Sequence, residues 1–168
     1  EENLPLKLII GSEFHHDSGL YVVLVTGRAA YAELSTFITQ CRRQAEKGHY
    51  TFDPAKLISL QPCLLLWQPA EQCMLPQLAL LIRHFQQRLW LLGERTLDEF
   101  DVHHYIDIAR WAEIFDLPVV AASNVHMHHP SRQSLQDCLT AIRMNQPVHQ
   151  IKHRLYANAE RHLRSLKK

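Results

Sequence analysis

The sequence predicts an α/β fold in which a mostly parallel sheet alternates with helices. Two observations carry this. Short apolar runs bounded by glycine or proline recur along the chain, as in strands buried on both faces. Between them, apolar residues recur at helical spacing.

The elements follow in order. Leu6 to Ile10, apolar except for Lys7, reads as a buried strand ending at Gly11. Asp17-Ser18-Gly19 is a turn signal, and Leu20 to Val25 behind it is rich in β-branched residues, hence a strand. A helix is predicted from about Arg28 to Lys47, with Tyr31, Leu34, Phe37, Ile38 and Cys41 on one face and Gly48 as its stop. Asp53-Pro54 opens a short helix through Leu60, with Asp53 as cap. Cys63 to Trp67 reads as a buried strand, and Leu75, Leu78, Ile82 and Phe85 mark a helix. Leu89 to Leu92 is the next strand. A helix capped by Asp101 then carries Val102, Tyr105, Ala109 and Ala112 on one face. Leu117-Pro118 leads into a strand at Val119 to Ala122. A helix beginning at Ser131 or Ser134 is expected to turn Leu135, Cys138, Leu139 and Ile142 inward, and Asn158 to cap a final charged helix.

Composition narrows the class. A chain of 168 residues and 19.6 kDa can bury roughly 70% of its unfolded surface, enough for its own core. With 46% apolar and 21% charged residues, it is neither disordered nor fibrous. Eighteen basic against 17 acidic residues leave a charge of +1, which argues against a broad basic glove for nucleic acid. No apolar run approaches the roughly 20 residues of a membrane span. Glu1-Glu2-Asn3 has no basic or apolar leader and no initiator Met, so no signal peptide is expected, and an excised or processed chain is. The four cysteines form no Cys-x-x-Cys pair. Cys41 and Cys138 fall on apolar helix faces as core residues, and reduced thiols in a cytoplasm are the simplest account.

Chemistry in parallel α/β folds gathers where strands end. Three exits stand out: Gly11-Ser12-Glu13-Phe14-His15-His16-Asp17, Gly93-Glu94-Arg95, and residues 123–129. Glu13 reads as a carboxylate ligand for Mg²⁺, Mn²⁺ or Zn²⁺, or as a solvated loop carboxylate. Asn124 and His126, two apart in an extended segment, would face one ligand; the alternative is a turn asparagine and a rim histidine. If the sheet closes toward a barrel, Glu13, Asn124 and His126 converge. His128 and His129 read as exposed loop residues, and of His103 and His104 one is buried and the other solvated. Five scattered glycines form no phosphate cradle. The basic tail, with Arg154, Arg161 and Arg164, reads either as a phosphate-contacting surface or as a solvated helix face.

Residues 117–143, from Leu117-Pro-Val-Val-Ala-Ala-Ser-Asn-Val-His through Gln-Asp-Cys-Leu-Thr-Ala-Ile-Arg143, resemble the end of the PHP (polymerase and histidinol phosphatase) domain of error-prone DNA polymerases, the damage-inducible type of DNA polymerase III alpha subunit. Ile10-Gly-Ser-Glu-Phe14 resembles the family's acidic ligand motif, 28–50 its following helix, and Asn158-Ala-Glu-Arg-His-Leu-Arg-Ser165 its bridge into the polymerase core. The resemblance implies an incomplete, distorted (β/α)7 barrel over 1–148, with a basic tail toward the polymerase core at 149–168. It implies a parent enzyme that is a template-directed nucleotidyltransferase serving damage tolerance. Glu13 matches an acidic metal ligand, and Asn124 and His126 the closing Asp-x-His pair. Against that pattern, the opening histidine strand is missing and the closing Asp is Asn124. An intermediate histidine reads Tyr21, and an exit that often supplies Cys or His reads Trp67-Gln68. These departures predict a vestigial site with no tightly bound cofactor, in a chain with no polymerase activity of its own. The competing reading is an active metal-dependent phosphoesterase or 3′–5′ exonuclease. Expected partners are the rest of the polymerase chain, DNA and other mutasome or replication proteins. No membrane partner is expected, and an exposed sheet edge would allow self-association.

Overall fold

The computed structural model describes residues 7–70, 75–99 and 101–165, with the side chains of 75–78 left aside. The expectations placed on Leu6 and on the side chains of Leu75 and Leu78 lie outside the described residues.

Among the described residues, five strands, β1 (Gly11–His16), β2 (Gly19–Val25), β3 (Cys63–Pro69), β4 (Leu89–Glu94) and β5 (Val119–Ala122), form one open sheet in the order β1-β2-β3-β4-β5. Four α-helices of the described residues accompany them: α1 (Arg28–Arg43), α2 (Leu75–Phe85), α3 (Asp101–Phe115) and α4 (Gln133–Met144). The α/β class is as expected. The sheet is mixed, however, not mostly parallel: β1–β2 and β2–β3 are antiparallel, and β3–β4 is parallel. The reason is local. Asp17-Ser18 is a two-residue loop joining His16 to Gly19, and a loop that short can only return the chain antiparallel. Gly19 has φ +135°, and a side chain there would strike the Gln68 carbonyl of β3.

The chain divides into two compact units. The first holds residues 1–92 and 108–120, the second 93–107 and 121–168. In the first, Phe14, Tyr21, Val23, Leu65, Trp67, Leu89 and Leu91 line the core from the strands. Ala30, Leu34, Phe37 and Cys41 come down from α1 at helical spacing, whereas Tyr31 is exposed and the helix ends at Arg43, short of Lys47. Asp53 caps a 3-10 turn at Pro54–Ser59, its Oδ1 accepting the Ala55 N–H at 3.0 Å. Arg88 donates to the carbonyl oxygens of Gln61 and Cys63, tying the approach to β4 to the start of β3.

Several expectations are corrected. Leu8, Ile9 and Ile10 are exposed (84, 62 and 44%) and precede the first strand; pairing begins instead at Gly11↔Leu24. α3 buries Ile108, with Trp111, Ala112 and Phe115 half-buried, because these lie at helical spacing on the face that meets the sheet core; Val102 and Tyr105 are exposed. α4 leaves Leu135, Cys138, Leu139 and Ile142 exposed and buries Thr140 and Ala141. Cys138 is therefore a surface thiol, while Cys41 and Cys63 are buried and free. Burial pushes both of those thiols above their ordinary value. Among the described residues no helix follows Asn158: its Oδ1 accepts the Glu160 N–H and holds a turn. Among the described residues no helix is long and apolar enough to cross a membrane.

The free side of β1 is partly closed. The Tyr50 hydroxyl accepts the His15 N–H at 3.0 Å and donates to the His15 carbonyl at 3.3 Å, occupying the backbone groups that another strand would use. Tyr50→Phe opens this edge. The expected outcome is more concentration-dependent self-association in analytical ultracentrifugation, with a stability loss of about 1 kcal/mol.

Candidate functional site

Glu13 lies in the middle of β1, not at a strand exit, because the polar stretch Gly11–His16 itself forms the strand. Its side chain is 46% exposed, and Oε1 stands 2.6 Å from Nε2 of His15, which lies two residues on along the strand and so shares its face. His16 turns toward the hairpin, where Nδ1 meets Ser18 Oγ at 2.7 Å; Ser18 Oγ in turn meets the Tyr21 hydroxyl at 2.7 Å.

Tyr21 and Trp67, which stand where the resemblance puts a histidine and a Cys or His, are wholly buried. Their rings stack at 6.1 Å, and Phe52 packs on Tyr21 at 5.4 Å and on Phe14 at 4.9 Å. These positions supply apolar packing. The Trp67 Nε1 proton finds no hydrogen-bond partner.

In the second unit the strand-exit residues join a polar cluster. Asn124 adopts φ +40°, a left-handed conformation that asparagine tolerates. The extended geometry expected to aim Asn124 and His126 the same way is thus broken at Asn124. Asn124 Nδ2 lies 3.5 Å from Oε2 of Glu94, whose side chain is 9% exposed. Arg161 Nη1 reaches the same oxygen at 3.3 Å, and its guanidinium lies 4.8 Å from the centre of the Tyr156 ring. The Tyr156 hydroxyl meets His126 Nε2 at 3.0 Å. Backbone bonds hold the segment in place: Arg161 C=O accepts the N–H groups of His126 (2.8 Å) and Met127 (3.2 Å), and Leu163 N–H reaches Met127 C=O at 2.9 Å.

Arg164 donates to Glu160 at 2.9 Å and to the Arg95 carbonyl at 3.0 Å; Arg154 is exposed. Asn158 Nδ2 donates to the carbonyl oxygens of Thr96 and Leu97. His103 is exposed and His104 half-buried, and His128 and His129 are exposed.

The donor set does not fit a divalent ion. Among the described residues no three His, Cys, Asp or Glu side chains group as metal ligands. The Asn124 amide turns its N–H toward Glu94, and Glu94 already faces a guanidinium. Sequence reasoning missed Glu94, Tyr156 and Arg161 as partners. Glu94 was visible at a strand exit, but no periodicity links it to a residue 67 positions away.

No family model matches the chain. It is similar to proteins of one class, the DNA polymerases. The error-prone DNA polymerase of Hahella chejuensis is 47% identical over 168 residues, covering 98% of this chain and 16% of its own length. That of Vibrio vulnificus is 42% identical over 170 residues, covering the whole chain and 17% of its own length. That of Methylococcus capsulatus is 39% identical over 168 residues, again 98% of this chain and 16% of its own. The chain is homologous to one part of an error-prone DNA polymerase, and it spans about a sixth of the length of the curated relatives it matches.

Proposed function

We propose that this chain is the PHP-like part of an error-prone DNA polymerase that acts in damage-induced translesion synthesis and mutagenesis. In this reading it is a structural module with a vestigial metal site, the remnant of a (β/α)7 barrel at 1–148 with a bridge toward the polymerase core at 149–168. Glu13, Asn124 and His126 are the remaining ligand positions. The observation that carries the reading is the burial of Tyr21 and Trp67, stacked in the core where the resemblance puts ligands. A side chain wholly buried among aromatic rings stabilises the fold and has no access to a solvated ion.

Its partners are the remainder of the polymerase chain and, through it, DNA and the other replication or mutasome proteins, in the cytoplasm. Of Arg154, Arg161 and Arg164 in the tail, Arg154 is the exposed one and so is placed to meet a phosphate.

The test is elemental analysis of the purified chain together with release of nucleotides from a 3′-labelled single strand in Mn²⁺, Mg²⁺ or Zn²⁺. The expected outcome is substoichiometric metal and no release. One or more ions per chain, with hydrolysis abolished by Glu13→Ala or His126→Ala, would establish the phosphoesterase reading in its place.

A further inference from the structure

We infer that the Arg161 guanidinium is the resident cation of the strand-exit cluster, standing in for a divalent ion beside Glu94 and excluding metal from it. The inference deepens the structural reading proposed above.

The argument begins with Glu94. A carboxylate that is 9% exposed needs a positive partner or several donors to stay ionised. Its described partners are Arg161 Nη1 at 3.3 Å and Asn124 Nδ2 at 3.5 Å, both on Oε2. Arg161 is not a loose surface side chain. Its carbonyl takes the N–H groups of His126 and Met127, so its backbone is fixed against the segment that carries Asn124 and His126. The far side of the guanidinium rests on Tyr156, whose hydroxyl ends on His126 Nε2. The cation thus meets a carboxylate directly and an imidazole through one tyrosine, and the Asn124 amide shares the carboxylate oxygen with it.

Carboxylate oxygen, amide oxygen and imidazole nitrogen are also the donor types that Mn²⁺ accepts. Two features keep such an ion out. The guanidinium cannot lose its proton, so its charge repels a divalent cation at every ordinary pH. The Asn124 amide, for its part, gives its N–H, and not its carbonyl oxygen, to the acceptor-only carboxylate of Glu94. Removing the guanidinium and restoring a carboxylate at 124 should therefore open a site that the natural chain holds shut.

The experiment uses the chain and its variants with MnCl₂ alone, reading free Mn²⁺ by electron paramagnetic resonance and thermal melting by circular dichroism. The natural chain is expected to leave the free Mn²⁺ signal and the melting temperature unchanged. The double variant Asn124→Asp, Arg161→Gln is expected to take up about one ion and to melt higher in Mn²⁺; adding Glu94→Gln abolishes both effects. A folded double variant that takes up no ion overturns the inference.

A second measurement covers a double variant that does not fold. Arg161→Gln is expected to lower the melting temperature by about 5–10 °C, and Glu94→Gln in the same chain to recover most of the loss. Strictly additive losses overturn the inference and leave the structural reading standing. Mn²⁺ uptake by the natural chain that survives Glu94→Gln defeats the structural reading alone; uptake that Glu94→Gln removes defeats both.

Discussion

Trp67→Ala is expected to remove about 3–5 kcal/mol of unfolding free energy. Trp67 sits on β3 between two neighbours in the sheet, opposite Tyr21 on β2 and Leu91 on β4, and none of its surface reaches solvent. Truncation forfeits the transfer of a large aromatic group, removes the stacking partner of Tyr21 and leaves a void that Phe14 and Phe52 cannot fill without abandoning their own stacking. Against a typical total of about 5–15 kcal/mol, that moves the urea midpoint far down or abolishes the folded state. Trp67→Phe is the informative companion. It keeps most of the apolar volume and removes the indole N–H that lacks a partner, so the loss should stay below about 1.5 kcal/mol. Equal losses for the two variants would show that the packing around Trp67 contributes little.

The second large effect is an acid sensitivity centred on Asp101. Burial pushes its carboxyl up. That push is outweighed by the N–H groups of Thr96 and Leu97, the Thr96 hydroxyl and the positive charge of Arg95, which together hold the carboxyl below its usual value. The bonds are direct: Oδ1 accepts Thr96 N–H and Oγ1 at 3.1 Å each, and Oδ2 accepts Leu97 N–H at 2.6 Å. These bonds run back into the loop before α3, and Leu97 there holds φ +52°, a conformation that leucine rarely adopts without support. Because the folded group binds its proton less readily than the unfolded one, its contribution is fully present above the unfolded pKa near 4. It is lost as pH falls through the lower folded value. Asp101→Asn is expected to cost about 1–2 kcal/mol at pH 7 and to flatten the stability profile below pH 4. An unchanged acid limb in denaturant titrations at pH 3 and pH 7 would contradict this.

How far the sequence spoke depended on what each segment packs against. The cores of β2, β3, β4 and β5 were legible because each is a bounded apolar run, and α1 because Leu34, Phe37, Ile38 and Cys41 repeat at helical spacing. β1 was not. Gly-Ser-Glu-Phe-His-His offers a single apolar residue, Phe14, and the strand exists through its ladder to β2 rather than through its own preference. The apolar stripe of α4 was found correctly as a stripe, but periodicity does not say what covers it, and Leu135, Leu139 and Ile142 face outward. At the candidate site the exits carrying Glu94, Asn124 and His126 were visible. The pairing of Glu94 with Arg161 was not, since an ion pair across 67 residues follows only from the folded path.

The hairpin glycine has a consequence for inheritance. At Gly19 the backbone angle and the nearby carbonyl of the third strand together leave no room for even a methyl group. Gly27, by contrast, has open space around it. Two codons for the same amino acid are thus under opposite regimes: drift at one is free of steric objection, and at the other every missense change is opposed by the shape of the neighbouring chain.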